Sequence, residues 1–179
     1  MSTTTGWSRR QVVASALSIA ALAALPIHAK TETQSQIMKG NEMTHLTAYL
    51  LFDGNCQEAM EFYKGCFGGE LSLTKVKDSA AKDHMAAVQQ NKIVNSKLKS
   101  GDIEFSASDW LLLGRTRVHG NTVCLYLSGG TVQELKALFA KLSEGAEITD
   151  PLTEVFYGTY GALNDRFGVR WMFQADPRE

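Results

Sequence analysis

Beyond residue 43 the apolar and polar positions of the chain run through one order of elements twice. In the first pass an apolar run over residues 48–52 predicts a strand, and Asp53-Gly54 turns it. Asn55 is a favoured helix N-cap, and Glu58 follows three residues later. Ala59, Phe62, Tyr63, Cys66 and Phe67 then recur at helical spacing until Gly68-Gly69 ends the run. Strands follow over 70–76, 93–99 and 103–108, with Ser100-Gly101-Asp102 as a tight hairpin turn between the last two. The second pass opens with a strand over 123–127 and the turn Ser128-Gly129-Gly130. Thr131 and Glu134 make a capping-box pair, Leu135, Leu138, Phe139 and Leu142 repeat the apolar stripe, and Gly145 stops it. Strands over 147–150, 156–163 and 169–174 complete the pass. The pattern predicts an α+β fold of two tandem β-α-β-β-β modules, about 44–109 and 121–175, joined by a connector over 110–120 within one domain, 44–175.

Alternation along the strands assigns their faces. Ile103, Phe105 and Ala107 turn toward the helix and leave Glu104, Ser106 and Ser108 on the far side. Val123, Leu125 and Leu127 likewise leave Cys124, Tyr126 and Ser128, while Trp171 and Phe173 leave Arg170, Met172 and Gln174. One helix covers only one face of a four-stranded sheet. The second, half-polar face must meet the other module, a partner subunit or a ligand, and a cavity closed by the duplicated sheet is the expectation.

The first 29 residues stand apart from this pattern. Ser8-Arg9-Arg10-Gln11-Val12-Val13 precedes an uncharged stretch to Ile27 with small residues up to Ala29, which has the form of a twin-arginine export leader. The stretch is too short and too weakly apolar for a membrane span, so no stable anchor is expected once the leader is cut. Residues 30–43 then form a linker, and the location is periplasmic or secreted. Met43 is a rival start, which would place the protein in the cytoplasm. The leader holds two of the 18 basic and none of the 19 acidic residues, so the remainder carries a net charge of −3. That balance excludes nucleic acid as an expected partner. Cys56, Cys66 and Cys124 are odd in number and widely spaced, pointing to buried thiols rather than a disulfide framework or zinc knuckle.

The residues that open the first module, Tyr49-Leu50-Leu51-Phe52-Asp53-Gly54-Asn55, its helix Glu58-Ala59-Met60-Glu61-Phe62-Tyr63, the segment Lys92 to Leu98 and above all the block from Phe156 to Met172 carry a resemblance. Over about residues 44–174 the chain resembles the vicinal oxygen chelate superfamily of glyoxalases, bleomycin-resistance proteins and ring-cleaving dioxygenases, in its PhnB-like branch. The resemblance implies a U-shaped, mostly antiparallel sheet around a ligand, often with a divalent metal held by His and Glu, and commonly a homodimer. In metal-binding relatives a Glu stands four residues after the glycine of the Asp-x-x-Gly turn; here that residue is Met172. Asn95 stands where PhnB-like sequences commonly have His, and Glu104 occupies a place like that of the first-half ligand. No metal site is expected, and His45, His84 and His119 are read as solvated or locally hydrogen-bonded. Some PhnB-like proteins are labelled ubiquinone-pathway methyltransferases, yet the chain shows no glycine-rich strand-to-helix turn for a methyl donor.

Phosphate-loop, dinucleotide-binding, zincin and nucleophile-elbow motifs are all missing. The leading expectation is therefore an exported, metal-free protein that binds a small molecule and uses no cofactor. Tyr49, Glu104, Ser106, Tyr126, Arg170 and Met172 are its expected lining residues, with Glu104 or Arg170 orienting a polar ligand. Tyr157 is expected to cap the sheet, and Gly158, Gly161 and Gly168 to serve backbone turns. The alternative is a metal-dependent lyase, isomerase or dioxygenase, with Glu104 as a ligand or as a desolvated general base of raised pKa. A third reading gives the inner sheet faces to an oligomer interface.

Overall fold

The computed structural model describes residues 44–176, and the expected leader and linker lie outside them. Strand β1 (Ala48–Phe52) leads into helix α1 (Cys56–Phe67), followed by β2 (Glu70–Lys75). Three short 3-10 turns, Val76–Asp78, Lys82–His84 and Ala87–Gln89, carry the chain to β3 (Ile93–Ser100) and β4 (Ile103–Asp109). The second module repeats the order with β5 (Leu125–Ser128), α2 (Val132–Leu142), β6 (Glu147–Val155), β7 (Gly158–Asn164) and β8 (Arg170–Ala175).

The duplication extends to topology. The strand orders are β1-β4-β3-β2 and β5-β8-β7-β6, so the first strand of each module lies parallel to its last at the sheet edge. The other pairings are antiparallel. In hydrogen bonding these are two separate four-stranded sheets. Among the described residues no helix is long and apolar enough to cross a membrane.

Local chemistry explains most boundaries. Thr131 and Glu134 form the expected capping box, the Thr131 hydroxyl accepting from the Glu134 amide at 3.1 Å and the Glu134 carboxylate accepting from the Thr131 amide at 2.8 Å. The start of α1 is built differently. Asn55 makes no side-chain cap; instead Asp109, at the end of β4, accepts the Cys56 amide at 2.9 Å and the Ile93 amide at 2.7 Å. A buried carboxylate suits the positive end of a helix, and here it also ties the helix to the strand beside it.

Three strand boundaries differ by two residues or more from the sequence reading. Strand β5 begins at Leu125 rather than 123, because Val123 is drawn into the connector and is 78 % exposed. Strand β6 continues to Val155 rather than ending at 150; β6 is an edge strand, which tolerates Pro151, and its register shifts around Asp150 absorb the missing amide. Phe156 and Tyr157 form the following turn, so β7 starts at Gly158. Ser108, expected on the polar face, is buried.

The helix-facing sides of both sheets and both helices form a single core. Tyr63 of α1 sits at its centre, with ring centroids 5.6 Å from Phe105, 5.9 Å from Phe167 and 5.7 Å from Trp171. Edge-on and tilted arrangements of this kind satisfy the ring quadrupoles. Phe52, Met60 and Leu163 are also almost wholly buried.

Candidate functional site

Tyr49 and Tyr126 occupy equivalent places in the two modules. Tyr49 on β1 pairs in register with Ser106 on β4, and Tyr126 on β5 pairs with Met172 on β8. Strand alternation turns both tyrosines away from the core, and each is 51 % exposed. The Tyr126 hydroxyl donates to Gln174 at 2.6 Å, whereas the Tyr49 hydroxyl reaches Asn95 only at 3.4 Å. The faces away from the helices therefore present half-exposed polar and aromatic groups, as the alternation predicted.

Glu104 is already engaged on this face. Lys97 on β3 approaches its carboxylate at 2.7 Å, and this contact holds the Glu104 carboxyl below the usual carboxylate range. The direction is opposite to the raised pKa that a general base in a desolvated pocket requires. Met172 receives the Cys124 thiol at 3.0 Å, a pairing of soft sulfur atoms. Among the described residues no three His, Cys, Asp or Glu side chains converge. The donor set does not fit the divalent ion that the resemblance implies, since Glu104 is held by Lys97 and Met172, where the ligand Glu would stand, is a thioether.

A cleft of about 530 Å³ opens between β1, the connector, β5 and the turn before β8. Of the six residues expected to line a ligand site, it brings together Tyr49 and Arg170; Glu104, Ser106, Tyr126 and Met172 do not line it. Trp110, Arg117 and His119, all from the connector, supply wall residues that the sequence reading left out. Their signal was present in Arg115-Thr116-Arg117-Val118-His119, where basic residues alternate as they would along one side of an extended segment. The Trp110 indole is anchored by donation to the Arg115 carbonyl at 2.8 Å, and the Arg117 guanidinium donates to His119 Nε2.

Two other carboxylates serve the fold. Asp109 joins α1 to β3 and β4, as described above. Asp165 is buried in the turn before β8 and accepts four hydrogen bonds: Tyr63 Oη at 2.6 Å, Trp171 Nε1 at 2.8 Å, and the Phe167 and Val169 amides at 2.9 Å each. Burial, followed by the neighbouring Asp165 charge, pushes the Tyr63 hydroxyl pKa well above its ordinary value. The Asp-x-x-Gly turn thus aims its acid into the core between the modules.

Residues 44–174 match the family described as 3-demethylubiquinone-9 3-methyltransferase. The chain is 28 % identical over 137 residues to Protein YjdN of Escherichia coli (strain K12), covering 71 % of this chain and 92 % of that one. The crystal structure of PA1353 from Pseudomonas aeruginosa aligns with a TM-score of 0.68 and 29 % identity, over 75 % of this chain and 98 % of that one. A PhnB protein from Bacillus cereus aligns with a TM-score of 0.59 and 23 % identity, over 74 % and 99 %. A glyoxylase/bleomycin resistance protein/dioxygenase domain from Frankia sp. EAN1pec shares the fold at a TM-score of 0.53 and 15 % identity, over 76 % and 95 %.

Proposed function

Since the chain belongs to the PhnB-like family described as 3-demethylubiquinone-9 3-methyltransferase, on a glyoxalase/bleomycin-resistance fold, we propose that it is an exported, metal-free small-molecule-binding protein that pairs with a second copy of itself. The observation that carries this reading is the cleft of about 530 Å³ beside Tyr49 and Arg170, a volume suited to a small organic ligand. Support for metal independence comes from the donor set, in which Glu104 is paired with Lys97 and Met172 with Cys124. Support for pairing comes from the half-exposed sheet face outside the cleft, where Tyr126 leaves aromatic surface in solvent. Support for export comes from the leader pattern around Arg9 and Arg10.

The family's description names a methyl transfer, and the chain's residues do not suit a nucleotide-type methyl donor. The turn into α1 carries the single glycine Gly54, and the first amide of the helix is taken by Asp109.

Native mass spectrometry of protein taken from the exported fraction, purified without chelators, tests the parts together. The expected result is a dimer of chains beginning at Lys30, with no stoichiometric divalent metal. A stoichiometric metal that is lost in Glu104→Gln overturns metal independence. Exported chains that keep residues 1–29 overturn the cleaved leader, and a monomer at micromolar concentration overturns pairing.

A further inference from the structure

The electrostatics of the cleft go further than its size. Arg117 and Arg170 both line it, and no Asp or Glu does. Among the described residues the ion pairs are Lys97–Glu104 and Arg166–Glu144, so neither cleft arginine is neutralised by a carboxylate. This concentration of positive charge lies in a chain whose overall net charge is −1. Resting on the reading of the cleft as the ligand site, we infer that its ligand is a small organic anion, whose carboxylate or phosphate group is bound by Arg117 and Arg170.

Arg117 carries an unmet hydrogen-bonding demand. Its Nε is buried and has no partner, and an orphaned donor of that kind is costly until an acceptor arrives. Its other arm donates to His119 Nε2, which places the remaining imidazole proton on Nδ1 and makes it a further donor. A guanidinium fork matches the paired oxygens of a carboxylate or phosphate better than any other side chain does. The rest of the wall suits the ligand's body: Trp110, Tyr49 and Leu51 provide apolar and aromatic surface. Trp110 is also held in place by its bond to the Arg115 carbonyl. Opposite-sign charge steers an anion into such a cleft, and the flat walls bury its apolar part.

Isothermal titration of the full chain with benzoate, phenyl phosphate and the neutral benzamide tests the inference. At least one anion should bind about tenfold or more tightly than benzamide, as expected when charge-assisted bonds are lost. The tighter of the two anions tells carboxylate from phosphate. Arg170→Gln and Arg117→Gln should each weaken the anion by a similar factor and weaken benzamide several-fold less, whereas Arg170→Lys should retain part of the anion affinity. Circular dichroism and thermal melts identify any variant that fails to fold, and Arg117→Lys then replaces Arg117→Gln. Benzamide binding as tightly as the anions, or anion binding indifferent to both arginines, overturns the anion inference and leaves the cleft as a ligand site. Binding of none of the three probes to folded protein overturns both.

Discussion

At the scale of single residues, the most constrained group is Asp165. Three of its four hydrogen bonds are buried, and two of their donors, Tyr63 and Trp171, are among the largest fully buried side chains. Removing one partner leaves the carboxylate nearly satisfied, so Tyr63→Phe should cost about 1–2 kcal/mol. Asp165→Ala strands four donors and should cost roughly 3–5 kcal/mol, the difference appearing as a lower urea midpoint. The buried thiols give a pH dependence of definite sign. Burial pushes Cys56 from 9.0 to about 12 and Cys66 from 9.0 to about 11. Above pH 9 the unfolded chain releases these protons while the native chain keeps them, so stability should fall as pH rises from 9 toward 12. Cys56→Ser and Cys66→Ser should flatten that slope in urea titrations. These roles were only partly legible. Cys56 and Cys66 were readable as buried, but Asp165 read only as part of a turn and Asp109 carried no signal, because partners that define them, such as Tyr63 and the Cys56 amide, lie far away in sequence. The cleft residues of the connector were missed for a related reason: without a strand or helix pattern, their alternation had no face to point to.

At the scale of elements, the duplicated order was readable because every module element carries its own local signal, whether period-two alternation, a helical stripe or a glycine stop. Boundaries failed where tertiary context overrode that signal. Pro151 is tolerated in β6 because an edge strand has no neighbour on its outer side to claim an amide there. Asn55 is a good cap residue in isolation, but Asp109 reaches the helix start first. The β6–β7 hairpin offers a direct test. Gly158 has φ +126°, and a methyl group there would lie 2.0 Å from the Ala175 carbonyl oxygen, inside the β7–β8 ladder. Gly54 also has a positive φ, +89°, but open space around it. Gly54→Ala should therefore cost about 1 kcal/mol, the conformational term alone. Gly158→Ala should cost roughly 3 kcal/mol or more, because backbone must also move. Equal urea midpoints for the two variants would show that the hairpin relaxes freely.

At the scale of the whole molecule, the two modules repeat each other in topology without being independent. The helix of the first module places Tyr63 against Phe167 and Trp171 of the second, and donates its hydroxyl to Asp165 there. Lys141 of α2 in turn reaches the Cys66 carbonyl at 3.1 Å, closing the helix pair from the other side. A module cut from its twin would expose much of this aromatic cluster, and each fully buried aromatic contributes about 1.5–3 kcal/mol through burial. That loss is comparable with the whole stability of a small domain, which is about 5–15 kcal/mol. Two consequences follow for the cleft. It forms only when both modules are present, since Tyr49 comes from the first and Arg170 from the second. Its geometry is also fixed through the shared core, because Asp165 accepts the Val169 amide next to Arg170. Residues 44–109 and 121–175 produced as separate chains should each give no cooperative urea transition and no dispersed amide spectrum. Mixing them should restore both signals if the shared core drives assembly. A cooperative transition in either half alone would show that its own sheet and helix suffice, and that the aromatic cluster between the modules is an addition to two self-sufficient units.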